Sequence, residues 1–248
     1  MQFTDPLVIF FFVLGLTFGS FGNVLILRLP RDKKIIGRSQ CPKCKAQLPA
    51  GDLIPVLSYI LLRGRCRFCK KKISIQYPFV ELATGILFVI AVVQVPESSV
   101  VALLLAVLLW LLFLMAFIDA QIQGIPDLLN IPFVLLALLF AWFTGTLTIL
   151  APVLAAGFFA VQWIASKGAW VGSGDIILAA GIGLMLGDWQ RTLVAIVVAY
   201  IVGAFIALIG LMTGKVTRRD RIAFGPFLAI GTLVTILWGE WLLKMVVL

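Results

Sequence analysis

Apolar positions in this chain come in long unbroken runs rather than in alternation. They cover about 7–27, 79–95, 99–118, 128–144, 147–165, 175–187, 191–212 and 224–243. Crossing a bilayer core about 30 Å thick takes roughly 20 helical residues, and most of these runs approach that length. Hydrocarbon offers no partners to backbone N–H and C=O groups, so spanning segments are helices or closed barrels. A barrel strand would alternate apolar and polar residues, and these runs do not. The expected fold is an all-α polytopic membrane protein with about eight transmembrane helices. The run 175–187 is short and rich in glycine, which makes it the weakest of the eight. Met1-Gln2-Phe3-Thr4-Asp5-Pro6 carries no basic residue, and no small-residue cleavage site follows the first run. The first run is therefore read as a permanent span and not as a signal peptide.

Composition agrees: 62% of residues are hydrophobic and 12% charged, against about 25% charged in soluble domains. Charge adds orientation, because short cytoplasmic loops collect Lys and Arg. Thirteen of the twenty basic residues lie in 28–72. With that loop inside, alternation also places 119–127, 166–174 and 213–223 inside, bringing in Lys167, Lys215, Arg218, Arg219 and Arg221. Only Arg191 and Lys244 then fall outside, and both termini lie outside the cytoplasm. The expected organisation is a first helix over 1–27, a cytoplasmic basic domain over 28–78 and a seven-helix membrane domain over 79–248. The net charge of +9 is accounted for by topology and attraction to anionic membrane lipid. No nucleic-acid-binding fold is visible, so no nucleic-acid partner is expected.

All four cysteines sit in the basic loop, as Cys41-Pro42-Lys43-Cys44 and Cys66-Arg67-Phe68-Cys69 separated by 21 residues. Two C-x-x-C knuckles at such spacing suit one tetrahedral zinc ion held by Cys41, Cys44, Cys66 and Cys69. Two disulfides are the bland alternative, disfavoured by a reducing cytoplasm. A redox pair is another, but no βαβ pattern surrounds either knuckle. Four thiolates close the zinc shell, which makes the expected Zn2+ structural, and a polar loop without a core of its own needs such a staple.

The chain has no histidine, which excludes Ser-His and Cys-His catalysis. Acid–base work then falls to carboxylates, lysine or tyrosine. Of eleven acidic residues, Asp5, Glu97, Asp188 and Glu240 fall outside or at outer span ends, and Asp32, Asp52 and Asp220 lie among basic residues. Glu81, Asp119, Asp127 and Asp175 remain, and ionisable groups in spans are functional candidates by default. Asp119 closes the third span and Asp175 opens the sixth, at the same depth. A carboxylate pair there can share a proton and activate water. Gly172 and Gly174 leave room for an extended substrate backbone beside Asp175. Helix capping is the competing explanation for Asp175 and the favoured one for Asp127, which follows Pro126. Glu81 has the plain reading of a span end. Helix dipoles would place the shared proton on Asp119, at a helix C-terminus, rather than on Asp175, at an N-terminus.

A family resemblance rests on these residues. Gly-x-Gly-Asp opening a span, paired with an earlier Asp, resembles the GxGD aspartyl proteases. Almost the whole chain resembles the bacterial type IV prepilin peptidases within that class. The matching stretches are GSFGNVLILRLP (19–30), both cysteine knuckles, DLIPVLSYILLRGRC (52–66), YPFVELATG (77–85), IDAQIQGIPDLLNIP (118–132), GSGDIILAAGIG (172–183) and FGPFLAIG (224–231). One local departure is Gly22, where a bulkier residue is expected. The resemblance implies an enzyme of the bacterial inner membrane. Such an enzyme cuts the short basic leader from prepilin or pseudopilin precursors of type IV pilus and type II secretion systems, after a glycine and at the cytoplasmic face. It implies Asp119 and Asp175 as the catalytic pair. It also implies N-methylation of the new terminus with S-adenosylmethionine, for which no residue of the chain is singled out. A proton-coupled transporter and a non-catalytic zinc-loop scaffold stand as alternatives from other classes.

Overall fold

A computed structural model of the protein describes residues 5–214, 217 and 222–246. Met1-Gln2-Phe3-Thr4 and the expected inner-face residues Lys215, Arg218, Arg219, Asp220 and Arg221 lie outside the described residues. Among those described, the regular elements are helices: α1 (Pro6–Arg28), α2 (Leu57–Leu61), α3 (Gln76–Gln94), α4 (Ser99–Ile122), α5 (Asp127–Thr144), α6 (Leu150–Ser166), α7 (Ser173–Leu186), α8 (Trp189–Met212) and α9 (Gly225–Val246). All but α2 coincide with the apolar runs. Their ends follow local chemistry. Asp5 caps α1 by accepting the Leu7 N–H at 3.0 Å. Asp188 caps α8 by accepting from Gln190 and Arg191. Gly145 stops α5 in a left-handed conformation, φ 69°, that a glycine adopts at no steric cost.

Six helices are long and apolar enough to cross a membrane: Pro6–Arg31, Gln76–Gln94, Ser99–Ile122, Asp127–Thr144, Trp189–Met212 and Gly225–Met245. The chain is thus multi-pass. The other two apolar helices, α6 and α7, have 17 and 14 residues. At about 1.5 Å per residue α7 reaches about 21 Å, short of the bilayer core.

The chain divides into two compact units, Met1–Trp110 and Leu111–Leu248, with the boundary inside α4. In the first unit α1 packs on α3 through small residues. A Cβ on Gly15 would sit 2.8 Å from the Gly85 Cα, and one on Gly19 would sit 2.6 Å from the Glu81 Cα. Glycines four apart let two backbones approach closely in lipid. One turn on, the buried Asn23 side chain donates to the Tyr77 carbonyl at 3.1 Å and ties the same two helices. Phe18 closes the unit's aromatic cluster, 5.1 Å from the rings of Phe88 and Trp110.

In the second unit α7 packs against α5 and α6. The glycines that weaken its hydropathy signal make this possible. A Cβ on Gly181 would meet the Phe133 ring at 2.6 Å, and one on Gly183 would meet Pro152 at 2.6 Å. Helices α8 and α9 pair through Gly231, which lies against the Ala195 carbonyl, and Gly203, which lies against Phe227. Tyr200 on α8 donates to Gln162 on α6 at 2.7 Å.

Gly19→Ala should loosen the α1–α3 pair by about 1–3 kcal/mol, the usual cost of forcing atoms into a filled contact. Gly157→Ala, with no atom within 4 Å of the added carbon, is the control. Thermal unfolding in detergent, followed by circular dichroism, reads the difference.

Candidate functional site

The first unit holds a four-cysteine cluster built from two copies of one turn, a group that could hold a metal ion. Cys41 N–H donates to the Ala46 carbonyl, and Cys66 N–H donates to the Lys71 carbonyl, both at 2.9 Å. Lys45 and Lys70 occupy equivalent left-handed positions, φ 62° and 58°. Each turn is flanked by an antiparallel bridge, Gln40 with Gln47 and Arg65 with Lys72. The four sulfurs lie within 4.8 Å of one another, and those of Cys41 and Cys69 are 3.9 Å apart. A tetrahedron with metal–sulfur bonds of about 2.3 Å has edges of about 3.8 Å, so the donor set fits zinc.

Packing four thiols together splits their acidities. Burial works against ionising Cys41, but backbone hydrogen bonds from Cys44 and Lys43 and neighbouring thiols bring it down to about 6. A backbone hydrogen bond at Ala46 lowers Cys44, yet burial and the other three thiols push it up to about 11. A cation at the centre resolves that conflict, because it favours all four thiolates at once. Asp52 braces the second knuckle through a two-pronged bond to Arg67, at 2.6 to 3.1 Å. That guanidinium holds the Asp52 carboxyl below its ordinary range.

The second unit holds an acidic cleft of about 350 Å³. Asp119 reaches it from the last turn of α4 and Asp175 from the first turn of α7. Between them the walls are the 123–125 connection, the 168–174 loop and Ile222, Ala223 and Phe224 before α9. Both acids are buried, 5% and 8% exposed. Asp119 Oδ2 accepts the Gly225 N–H, 106 positions away, at 2.8 Å. Asp175 Oδ2 accepts the Gly172 N–H at 3.0 Å, while its Oδ1 is buried without a partner among the described residues. One oxygen of each acid is thus fixed by an amide at a helix start.

Several expectations change in detail. The capping explanation for Asp175 describes a real contact, since its carboxylate closes back on the Gly172 amide. That contact uses one oxygen and leaves the other buried without a partner among the described residues. Asp127 makes no capping hydrogen bond. Pro126 takes the cap position and Asp127 becomes the first helical residue, so its carboxylate joins the cleft lining. Each aspartate sits at the expected helix end, Asp119 in the last turn of α4 and Asp175 in the first turn of α7, but Asp119 also meets the amide that starts α9, which reduces the dipole contrast between the two. Gly172 and Gly174 both line the cleft. A side chain at Gly174 would first meet Ile125, 3.2 Å from its Cβ, so bulk there tests packing as much as substrate entry.

Two contributors escaped the sequence. Gly225 acts through its backbone amide, and a Cβ there would press on Asp119 Oδ2 at 2.8 Å. Asn130, wholly buried on α5, donates to the Gly174 carbonyl at 2.9 Å and fixes the start of α7. Glu81, a candidate already in the sequence, accepts the Val56 N–H at 2.7 Å in the first unit. The polar Asn in the apolar run was the one available signal; a backbone donor leaves none.

Residues 13–95 match the Bacterial Peptidase A24 N-terminal domain and residues 106–208 the Type IV leader peptidase family. Similar curated proteins are named prepilin leader peptidase/N-methyltransferase. That of Aeromonas hydrophila is 33% identical over 92% of this chain and 90% of its own length. That of Bacillus subtilis (strain 168) is 33% identical over 92% and 93%. That of Neisseria gonorrhoeae is 33% identical over 88% and 86%. No solved structure matches. With two cysteine knuckles gathered in one unit, an aspartate cleft in the other and relatives matching nearly end to end, the chain belongs to the type IV leader peptidase family.

Proposed function

We propose that this protein is a membrane aspartyl endopeptidase that removes the leader of prepilin-type precursors, with Asp119 and Asp175 as its catalytic pair. The observation that carries the reading is that two carboxylates 56 positions apart in sequence line one cleft, each held by a helix-start amide. In a chain without histidine such a pair can perform both proton transfers of peptide hydrolysis. One carboxylate takes a proton from water as its oxygen adds to the scissile carbonyl carbon. The other gives a proton to the carbonyl oxygen. On collapse the C–N bond breaks and the departing amine takes a proton. The cleft also suits a basic leader: its lining contains Asp119, Asp127 and Asp175 and, among the described residues, no Lys or Arg.

The finer topology belongs to the same proposal. Eight spans with the 28–78 loop in the cytoplasm place eighteen of twenty basic residues inside and both termini outside, in a bacterial inner membrane. The short α7 is tolerated because its neighbours α5 and α6 cover it. The metal at the cysteines is a structural Zn2+. Methylation of the new N-terminus from S-adenosylmethionine comes from the relatives' name, and no residue of this chain is assigned to the methyl donor.

Asp119→Ala and Asp175→Ala should each lower prepilin cleavage by at least about 100- to 10,000-fold, the scale of a lost acid–base group, while the protein still inserts. Mass spectrometry of a prepilin incubated with each variant reads leader loss. Near-normal turnover in either would remove the pair from the mechanism, and a scaffold would need neither residue. Gly225→Ala should cost about tenfold to a hundredfold in turnover by displacing the Asp119 carboxylate, with expression and melting close to wild type. Elemental analysis should find one zinc per chain, lost in Cys44→Ser together with resistance of the 28–78 loop to proteolysis. A metal-free protein whose four thiols titrate freely would refute the zinc assignment.

A further inference from the structure

The loop between α1 and α3 is basic and polar, yet its middle reads Leu53-Ile54-Pro55-Val56-Leu57-Ser58-Tyr59-Ile60-Leu61-Leu62. This stretch does not fold inward. Ile54, Leu57, Ile60 and Leu61 are 48, 49, 63 and 71% exposed. Leu57, Ile60 and Leu61 stand at i, i+3 and i+4 of α2 and so share one helix face. In water such a face would be costly.

Its depth is fixed by a single contact. The Val56 amide donates to Glu81 Oε2 at 2.7 Å, and Glu81 is the sixth residue of α3. That point lies about 8 Å along the helix axis from the first residue of α3. With 19 residues, α3 is about 28 Å long, barely the thickness of the hydrocarbon core. It has no length to spare above the bilayer, so a segment bonded to its sixth residue lies at or below the headgroup boundary. The backbone is bent to get there. Val56 has φ 61° and ψ −50°, a conformation a β-branched residue adopts only under constraint. The next amide, Leu57 N–H, turns back to the Pro55 carbonyl. Beyond α2 come Arg63 and Arg65, both exposed. Leucine and isoleucine on one side with arginines beside them is the composition of a helix lying in a membrane interface.

We propose that 54–61 is an interfacial anchor: Ile54, Leu57, Ile60 and Leu61 enter the acyl-chain edge of the leaflet next to the start of α3, and Arg63 and Arg65 contact anionic headgroups. The occupant is lipid, and the inference rests on the membrane reading of α3, not on the peptidase chemistry. The anchor also holds the metal centre, because Asp52, just before the anchor, grips Arg67 between the ligands Cys66 and Cys69.

The test uses the wild-type, zinc-loaded protein in nanodiscs of phosphatidylethanolamine and phosphatidylglycerol. An apolar diazirine dissolved in the bilayer is photolysed and the labelled peptides are mapped by mass spectrometry. Labelling of 54–61 should match that of the lipid-facing part of α1 around Phe10. It should exceed by at least about fivefold the labelling around Ile36, an exposed apolar residue elsewhere in the same loop. Leu57→Asp combined with Leu61→Asp should bring 54–61 down to the Ile36 level while zinc content stays at the wild-type value. Wild-type labelling no higher than at Ile36 would overturn the proposal. So would labelling that an added prepilin peptide abolishes, since the face would then belong to substrate. Neither readout depends on cleavage.

Discussion

A carboxylate buried in a membrane protein must have a hydrogen-bond donor, and here the donors come from the main chain. Glu81, Asp119 and Asp175 are the buried acids of the described residues, and each accepts a backbone N–H: Val56, Gly225 and Gly172. No described cation pairs with any of them. Amides at helix and turn starts carry partial positive charge and stay in place, so they hold a carboxylate without the fixed charge that lipid penalises. The rest of the architecture serves those donors. Gly19 lets α1 close against the Glu81 backbone, Asn130 sets the start of α7, and a glycine at 225 brings an amide within reach of Asp119.

Helix positions were legible because lipid imposes one rule on every span. All eight long helices coincide with runs of apolar residues, down to the glycine-rich α7. What hydropathy does not carry is exact helix length: α6 and α7, with 17 and 14 residues, are shorter than the other six apolar helices. The cysteine cluster was legible for a similar reason, since four thiols on two repeated turns leave few arrangements. The acids were visible as costly residues in apolar surroundings. Their partners were not, because every residue except proline offers an amide, and a contact across 106 positions leaves no local trace. Asp127 shows the opposite error: Pro-Asp before an apolar run looks like a cap and its carboxylate, but proline takes the cap position and sends the acid into the cleft.

The two units solve different problems. The cleft needs buried acids, small residues beside them and room for a peptide, and it takes these from helices that pack through glycine. The cysteine loop has little apolar material of its own. Its contacts are a cluster of four cysteines, the Asp52–Arg67 fork and the Glu81–Val56 latch. Strain at Val56 persists because the latch and the following turn hold it from both sides.

The Gly225 amide has a consequence for how this enzyme can drift. A side-chain donor can be exchanged for another by a single codon change, and ancestry would record the exchange. A main-chain donor cannot be exchanged, because every replacement except proline keeps it; only proline, added bulk or a shift of the helix start can remove the contact. Selection on the grip around Asp119 therefore acts on space, not on chemical identity. Scanning mutagenesis that trims side chains to alanine would pass over the contact and register glycine 225 as a steric position alone. Replacing that one amide by an ester would expose what the residue contributes.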